Sequence, residues 1–175
     1  MRGLFARFKA AEESDDQGAM RALADKIVQE LDIHTTVEEE IYYPAIDDVS
    51  DEVHDLVAEG LQEHHVAKTL ISELGSTQPG GEEWVAKVKV LIEAVEHHAG
   101  EEEKDMFPGV RGAMSQEARE ALGVKLMGRK RQLGAPEPAI DLPKEELLAK
   151  AREQEIPGRS KMSKEELALT VDPRG

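Results

Sequence analysis

The sequence predicts an all-α fold: an up-down four-helix bundle with a truncated first helix, followed by a small C-terminal helical appendage. Three observations carry this. Apolar residues recur at alternating steps of three and four, the spacing that puts them on one face of a helix. The chain holds only three Phe, two Tyr and one Trp among 39% hydrophobic residues, a composition suited to Leu, Val, Ile and Ala packed between helices rather than to a sandwich of strands. At 175 residues it is long enough for one bundle with a segment to spare.

The first element, residues 3–11, is a short helix that the acidic, Ser- and Gly-containing stretch 12–18 ends. From Ala19 to about Ile46, the residues Ile27, Leu31, His34, Glu38, Ile41 and Ala45 form one inward stripe, and Tyr43-Pro44 marks where this helix is expected to fray. A third helix, residues 50–74, places Val53, Val57, Leu61, His64, Ala67, Ile71 and Leu74 on one side, and the glycines and proline of 75–81 close it. The fourth starts near Glu82, carries Trp84, Val88, Leu91, Val95, His98 and Glu102 inward, and is expected to end near Phe107-Pro108. One more helical segment spans 115–133 and ends in Arg129-Lys130-Arg131.

These boundaries suggest a bundle domain over 1–133, a Pro/Gly/Ala-containing linker over 134–141 and a separate motif over 142–171. Within the last, 143–151 and 163–171 read as two short helices around a polar loop. Ser163 and Glu166 have the spacing of a capping box.

The formal charge is −15, almost all of it before Gly134. So acidic a surface repels phosphate backbones and anionic lipid, which argues against nucleic-acid or membrane binding by the first part of the chain. With no cysteine, disulfides, thiolate metal sites and Cys nucleophiles are excluded, and any metal must take His and carboxylate. No apolar run approaches the length needed to span a bilayer, and no secretory leader is evident, so a cytoplasmic location is expected.

The residues that carry chemistry lie in an internal match. HTTVEEEIYYP (His34–Pro44) and HAGEEEKDMFP (His98–Pro108) share a His, a Glu four residues later, an aromatic at the ninth step and Pro at the tenth. Residues i and i+4 share a helix face with Cβ atoms about 5–6 Å apart, so each His and its Glu can address one metal or metal pair. His64 adds an imidazole from the third helix. Imidazole with carboxylate suits borderline divalent metals, iron included. Two His-x-x-x-Glu pairs inside apolar stripes would otherwise bury carboxylates at substantial cost. A ferritin-like site needs Glu three residues before His, and none of the six histidines has one.

The neighbouring residues read more plainly. His65 and His97 are one position off the stripe, about 100° around the helix, and are expected at the surface or behind the ligands, with His65 the alternative to His64. His54 is expected in solvent, and Glu39, Glu40, Glu101 and Glu103 on exposed helix faces, with one of them reaching the metal as the alternative. Tyr42 and Tyr43, like Met106 and Phe107, are read as packing the bundle end, the alternative for a Tyr being to tune peroxide chemistry beside a metal. Lys68 is left between pairing with a buried Glu and reaching solvent.

On these motifs, residues 1–133 resemble the hemerythrin-like HHE cation-binding family. The resemblance implies a nonheme di-iron site with His34, Glu38, His64, His98 and Glu102 as ligands, binding dioxygen, peroxide or nitric oxide for sensing, storage or detoxification. Peroxide consumption is also compatible with it. Members of that family carry a longer first helix with a further His ahead of an apolar stretch similar to Arg2–Phe8; the chain begins inside that stretch, so an upstream start is expected, and a degenerate, metal-free bundle is the alternative. Ile156–Leu167 resembles the Rho-N-like and SAP-like helix–extended loop–helix motif, which implies weak contact with nucleic acid, through Arg159, Lys161 and Lys164, or with protein. An iron- or redox-responsive adaptor acting through this motif is the competing functional reading.

Overall fold

The computed structural model describes residues 1–135, 142–154, 156, 158–164, 167–168 and 171. The described residues are helical, with no strand among them. The chain divides into two compact units, Leu31–Leu133 and Met1–Glu30 with Gly134–Gly175.

Helix α1 (Arg2–Glu13) buries Phe5, Phe8 and Ala11, the i, i+3, i+6 face that its sequence offers. It ends where Asp15 takes a left-handed φ of 53° and Asp16 Oδ1 accepts from the Ala19 N–H at 2.9 Å, capping the next helix. Helix α2 (Gln17–Val37) buries Met20, Leu23, Ala24 and Ile27 in its first half.

In the unit Leu31–Leu133, α2 does not fray at Tyr43-Pro44. It passes through a π-helical turn, Glu38–Tyr42, into α3 (Tyr43–Ile46), and the Tyr43 N–H reaches the Glu38 carbonyl five residues back. The proline explains the turn. Pro44 has no N–H to donate and its ring would strike the carbonyl four residues earlier, so one extra residue in the turn moves that carbonyl aside. The extra residue rotates everything after it by about a third of a turn. The predicted stripe therefore holds as far as Ile41, partly buried against the core, and fails beyond it: Ala45 is exposed, and Tyr43 and Ile46 point inward at 2% and 0% exposure.

Helix α4 (Asp51–Ser76) starts at Ser50, whose hydroxyl accepts from the Val53 N–H at 3.2 Å, with Asp51 and Glu52 in the positive first turn. Its inward face runs Val53, Val57, Gly60, His64, Ala67 and Leu74. Leu61, expected inward, is 40% exposed, and Gly60 takes its place. A short connection returns the chain as α5 (Glu82–Glu101), which lies against α4 and buries Trp84, Val88, Leu91, Ile92, Val95 and His98.

The event at Pro44 repeats at Pro108. A π-helical turn, Glu102–Met106, leads into α6 (Phe107–Ala113), so the helix continues where an end was expected. Met106 and Val110 follow it into a core with Tyr43, Ile46, Val53, Val57 and Leu122. Helix α7 (Gln116–Gln132) is capped by Ser115 and ends in Arg129, Lys130 and Arg131, cations placed at the negative end of the helix. Arg129 bonds both oxygens of Glu40, at 2.7 and 3.1 Å, and so ties α7 to the first π-turn.

The C-terminal segment has α8 (Lys144–Glu153), a left-handed Gly158 (φ 70°) and a 3₁₀ turn, Arg159–Lys161. Leu147, Ala151, Ile156, Leu167, Ala168 and Val171 bury against one another there. Most of the expected linker and Glu166 of the expected capping box lie outside the described residues.

Candidate metal centre

The five predicted residues converge. His34 and Glu38 come from the end of α2 and the first π-turn, His64 from α4, His98 from α5 and Glu102 from the second π-turn. One donor atom from each of His34, Glu38, His98 and Glu102 lies within 4.8 Å of the others. His64 Nε2 is 3.2 Å from His98 Nε2 and 3.4 Å from Glu38 Oε2. His64, His98 and Glu102 are 2%, 5% and 4% exposed. Each π-turn begins at its site glutamate, so the irregular backbone that admits the proline also sets the carboxylate.

Carboxylates behind the ring fix the two most buried imidazoles. His64 Nδ1 is 2.9 Å from Glu39 Oε1, and Lys68 Nζ in turn bonds both Glu39 oxygens at 2.7 Å. His98 Nδ1 is 2.6 Å from Glu63 Oε2. A carboxylate oxygen accepts, so Nδ1 carries a proton in both rings, and each Nε2 is turned inward. The two inward Nε2 atoms face each other at 3.2 Å, close enough to converge on one ion. His34 Nε2 and Glu38 Oε2 are buried with no hydrogen-bond partner. These orphaned atoms and the facing Nε2 atoms fit a cation, and the His and carboxylate set fits a borderline divalent one such as iron.

The electrostatics agree. Burial, then the charges of Lys130, His98 and His64, push His34 from its ordinary 6.5 to about 3. Burial raises Glu38 to about 7, and burial together with the Glu38 charge raises Glu102 to about 7. Burial also lowers His64. Partial burial opposes it, but hydrogen bonds from Lys68 and His64 hold Glu39 below its usual value. Burial thus disfavours the charged forms of His34 and His64 and penalises the carboxylate charges of Glu38 and Glu102, a penalty that a bound cation offsets.

Tyr43 is the residue that sequence reasoning undervalued. Its ring packs in the core as expected, but its hydroxyl lies 3.5 Å from both His64 Nε2 and His98 Nε2 and 3.4 Å from Glu102 Oε1. Burial and the charges of Glu38 and Glu102 push this phenol well above its ordinary value. Gly60 makes the space: a Cβ there would stand 2.7 Å from the Tyr43 hydroxyl. The signal was the proline-driven shift of register, which a strict helical count does not register. Glu39 and Glu63, read as surface charge or passed over, carry the rings instead. His65 is exposed, which settles the choice in favour of His64 as the inward residue; His54 and His97 are also exposed.

A helical bundle that brings three imidazoles and two carboxylates together is the architecture of a cation-binding protein. The profile described as the hemerythrin HHE cation binding domain matches residues 1–110, and the chain belongs to that family. Uncharacterized proteins of Mycobacterium tuberculosis and Mycobacterium bovis are 32% identical over 130 residues, covering 73% of this chain and 78% of each relative. A Nostoc protein named DNA nickase is 24% identical over 126 residues, covering 72% of this chain but 35% of that protein. No solved structure matches. No helix among the described residues is long and apolar enough to cross a membrane.

Proposed function

We propose that the chain is a nonheme iron protein holding two irons through His34, Glu38, His64, His98 and Glu102. Its further ligand is dioxygen, peroxide or nitric oxide, for sensing, storage or detoxification. The observation that carries this is the convergence of those donors, with the Nε2 atoms of His64 and His98 turned toward each other and two site atoms orphaned. When bound, iron supplies an open coordination position and redox chemistry. Glu39 and Glu63 hold His64 and His98 in the tautomer that ligates, Leu31, Ala67 and Val95 line a narrow cavity of about 10 Å³ beside the imidazoles, and Tyr43 keeps a proton on its hydroxyl at the edge of the cluster.

The test is iron per chain after anaerobic reconstitution, with the optical spectrum recorded before and after oxygen, hydrogen peroxide and azide. Uptake of about two irons, as carboxylate-and-histidine bundles hold, with a ligand-sensitive absorption band is expected. Protein that stays iron-free after such loading refutes the reading. Peroxide consumption is a second reading, favoured by the Tyr43 hydroxyl. It requires turnover that Tyr43→Phe slows without loss of iron; unchanged turnover would sink it.

A separate module over 142–171, after a bundle through 133 and a linker at 134–141, is supported by the core that Leu147, Ile156 and Leu167 build among themselves. Its Rho-N-like or SAP-like role in nucleic-acid or protein contact is tested by deleting residues after Gly134, which should abolish partner binding and leave the iron in place.

A further inference from the structure

The two carboxylates behind the buried imidazoles are backed differently. Behind Glu39 stands an ammonium, Lys68 Nζ at 2.7 Å from both oxygens. Behind Glu63, which accepts from His98 Nδ1 at 2.6 Å, stand an imidazole and another carboxylate. His97 Nε2 is 3.8 Å from Glu63 Oε1 and 3.3 Å from Glu101 Oε1, and one donor atom from each of the three residues falls within 4.8 Å of the others. Among the described residues, the ion pairs of Glu63 and Glu101 are with His97 and His98, with no Lys or Arg partner for either. Two carboxylates that meet at one imidazole repel each other, and no described residue plays the part of Lys68 there.

The sequence shows why an outer set exists at all. Glu63, His97 and Glu101 each directly precede an inner residue, His64, His98 and Glu102. One step along a helix is about 100° of rotation, so a second His-x-x-x-Glu pair and a facing carboxylate lie on the outer side of the α4–α5 seam. His97, at 66% side-chain exposure, leaves this set open to an ion arriving from solvent.

We propose that Glu63, His97 and Glu101 form a second, outer site for a divalent transition cation, which stands behind Glu63 as Lys68 stands behind Glu39. One imidazole and two carboxylates with water completing the shell suit Zn²⁺ or Fe²⁺. Through Glu63 the outer ion touches the carboxylate that orients His98, so its occupancy alters the inner centre without sharing a ligand with it. The site does not depend on the inner metal being iron.

The test uses the full chain loaded with iron, titrated with Zn²⁺ by calorimetry while iron content is followed. One further zinc per chain is expected with iron retained. His97→Ala and Glu101→Gln should each weaken zinc binding roughly tenfold or more, the loss usual for a partner in a metal shell, and leave iron and helix content unchanged. Lys68→Ala should not weaken it. Zinc binding equal in His97→Ala and the parent, no zinc uptake, or uptake only at the expense of iron overturns the proposal. A chain that takes no iron yet binds one zinc lost with His97 refutes the inner iron reading and keeps this one.

Discussion

The two His-x-x-x-Glu segments, His34–Pro44 and His98–Pro108, share their sequence pattern, their π-turn and their proline, yet they do not do the same work. His98 takes a carboxylate from the neighbouring helix on Nδ1, at 2.6 Å from Glu63, and is 6% exposed by its side chain. His34 spends its Nδ1 on its own Glu38 at 3.2 Å, is 21% exposed by its side chain, and leaves Nε2 unpartnered. At the ninth step the first segment places the Tyr43 hydroxyl in the cluster, whereas the second offers Phe107, whose ring meets Tyr42 edge-on at 6.1 Å. A repeated motif thus gives the candidate site a His and a Glu twice over, and the surrounding helices make the two halves unequal.

The largest expected effect tests that inequality. His98→Ala should cost more metal affinity than the roughly 10- to 100-fold typical of losing an outer partner, and more than His34→Ala, because His98 is the ring held in advance by a carboxylate. Equal losses, measured by competition with a chelator, would break the comparison.

Gly60→Ala comes next. Its Cβ would stand 2.7 Å from the Tyr43 hydroxyl and 3.4 Å from His98 Cε1, so Tyr43 must move, at about 1–3 kcal/mol for overpacking, read by urea unfolding. Gly100, where an added Cβ would meet nothing within 4 Å, is the control: Gly100→Ala should gain about 0.5–1 kcal/mol from helix propensity alone.

Acidity probes the metal-free chain. Glu38 and Glu102 have folded values raised to about 7 from 4.5, so folding takes up protons there and stability falls as pH rises from 4.5 through 7. His34 is lowered to about 3 from 6.5, so stability falls as pH drops below 6.5. The melting temperature of apo protein should therefore peak at weakly acidic pH. A monotonic rise from about pH 5 to 8 would contradict the burial of these groups.

The smallest effect equalises the halves directly. Tyr43→Phe makes the first segment like the second and removes only three long contacts of 3.4–3.5 Å, so unfolding should shift by less than about 1 kcal/mol. The absorption of the iron-loaded protein should move with it. An unchanged spectrum would remove Tyr43 from the centre's surroundings.

Much of the fold and most of the site are legible in the sequence, because helical periodicity is local. Leu31, His34, Glu38, His64, Ala67, Leu91, Val95 and His98 lie inward or at the site as spacing requires, and His64 rather than His65 faces in. The departures fall at particular places. Ala45 and the ends expected at Tyr43-Pro44 and Phe107-Pro108 fail because a proline reads as a stop, whereas here one inserted residue per turn lets the helix pass it. Leu61 fails because counting by fours favours a large apolar residue over the glycine that Tyr43 needs.

By itself the sequence determined the helices, the acidic, cysteine-free chemistry and the His and Glu donors, since each depends on residue type and on spacing within one segment. Only the tertiary structure decided that Tyr43 reaches the donors, that Glu39 and Glu63 stand behind different imidazoles, and that one has a lysine at its back while the other has an imidazole and a carboxylate. Those facts depend on which side chains from separate helices meet, and spacing along one helix carries no information about its neighbour.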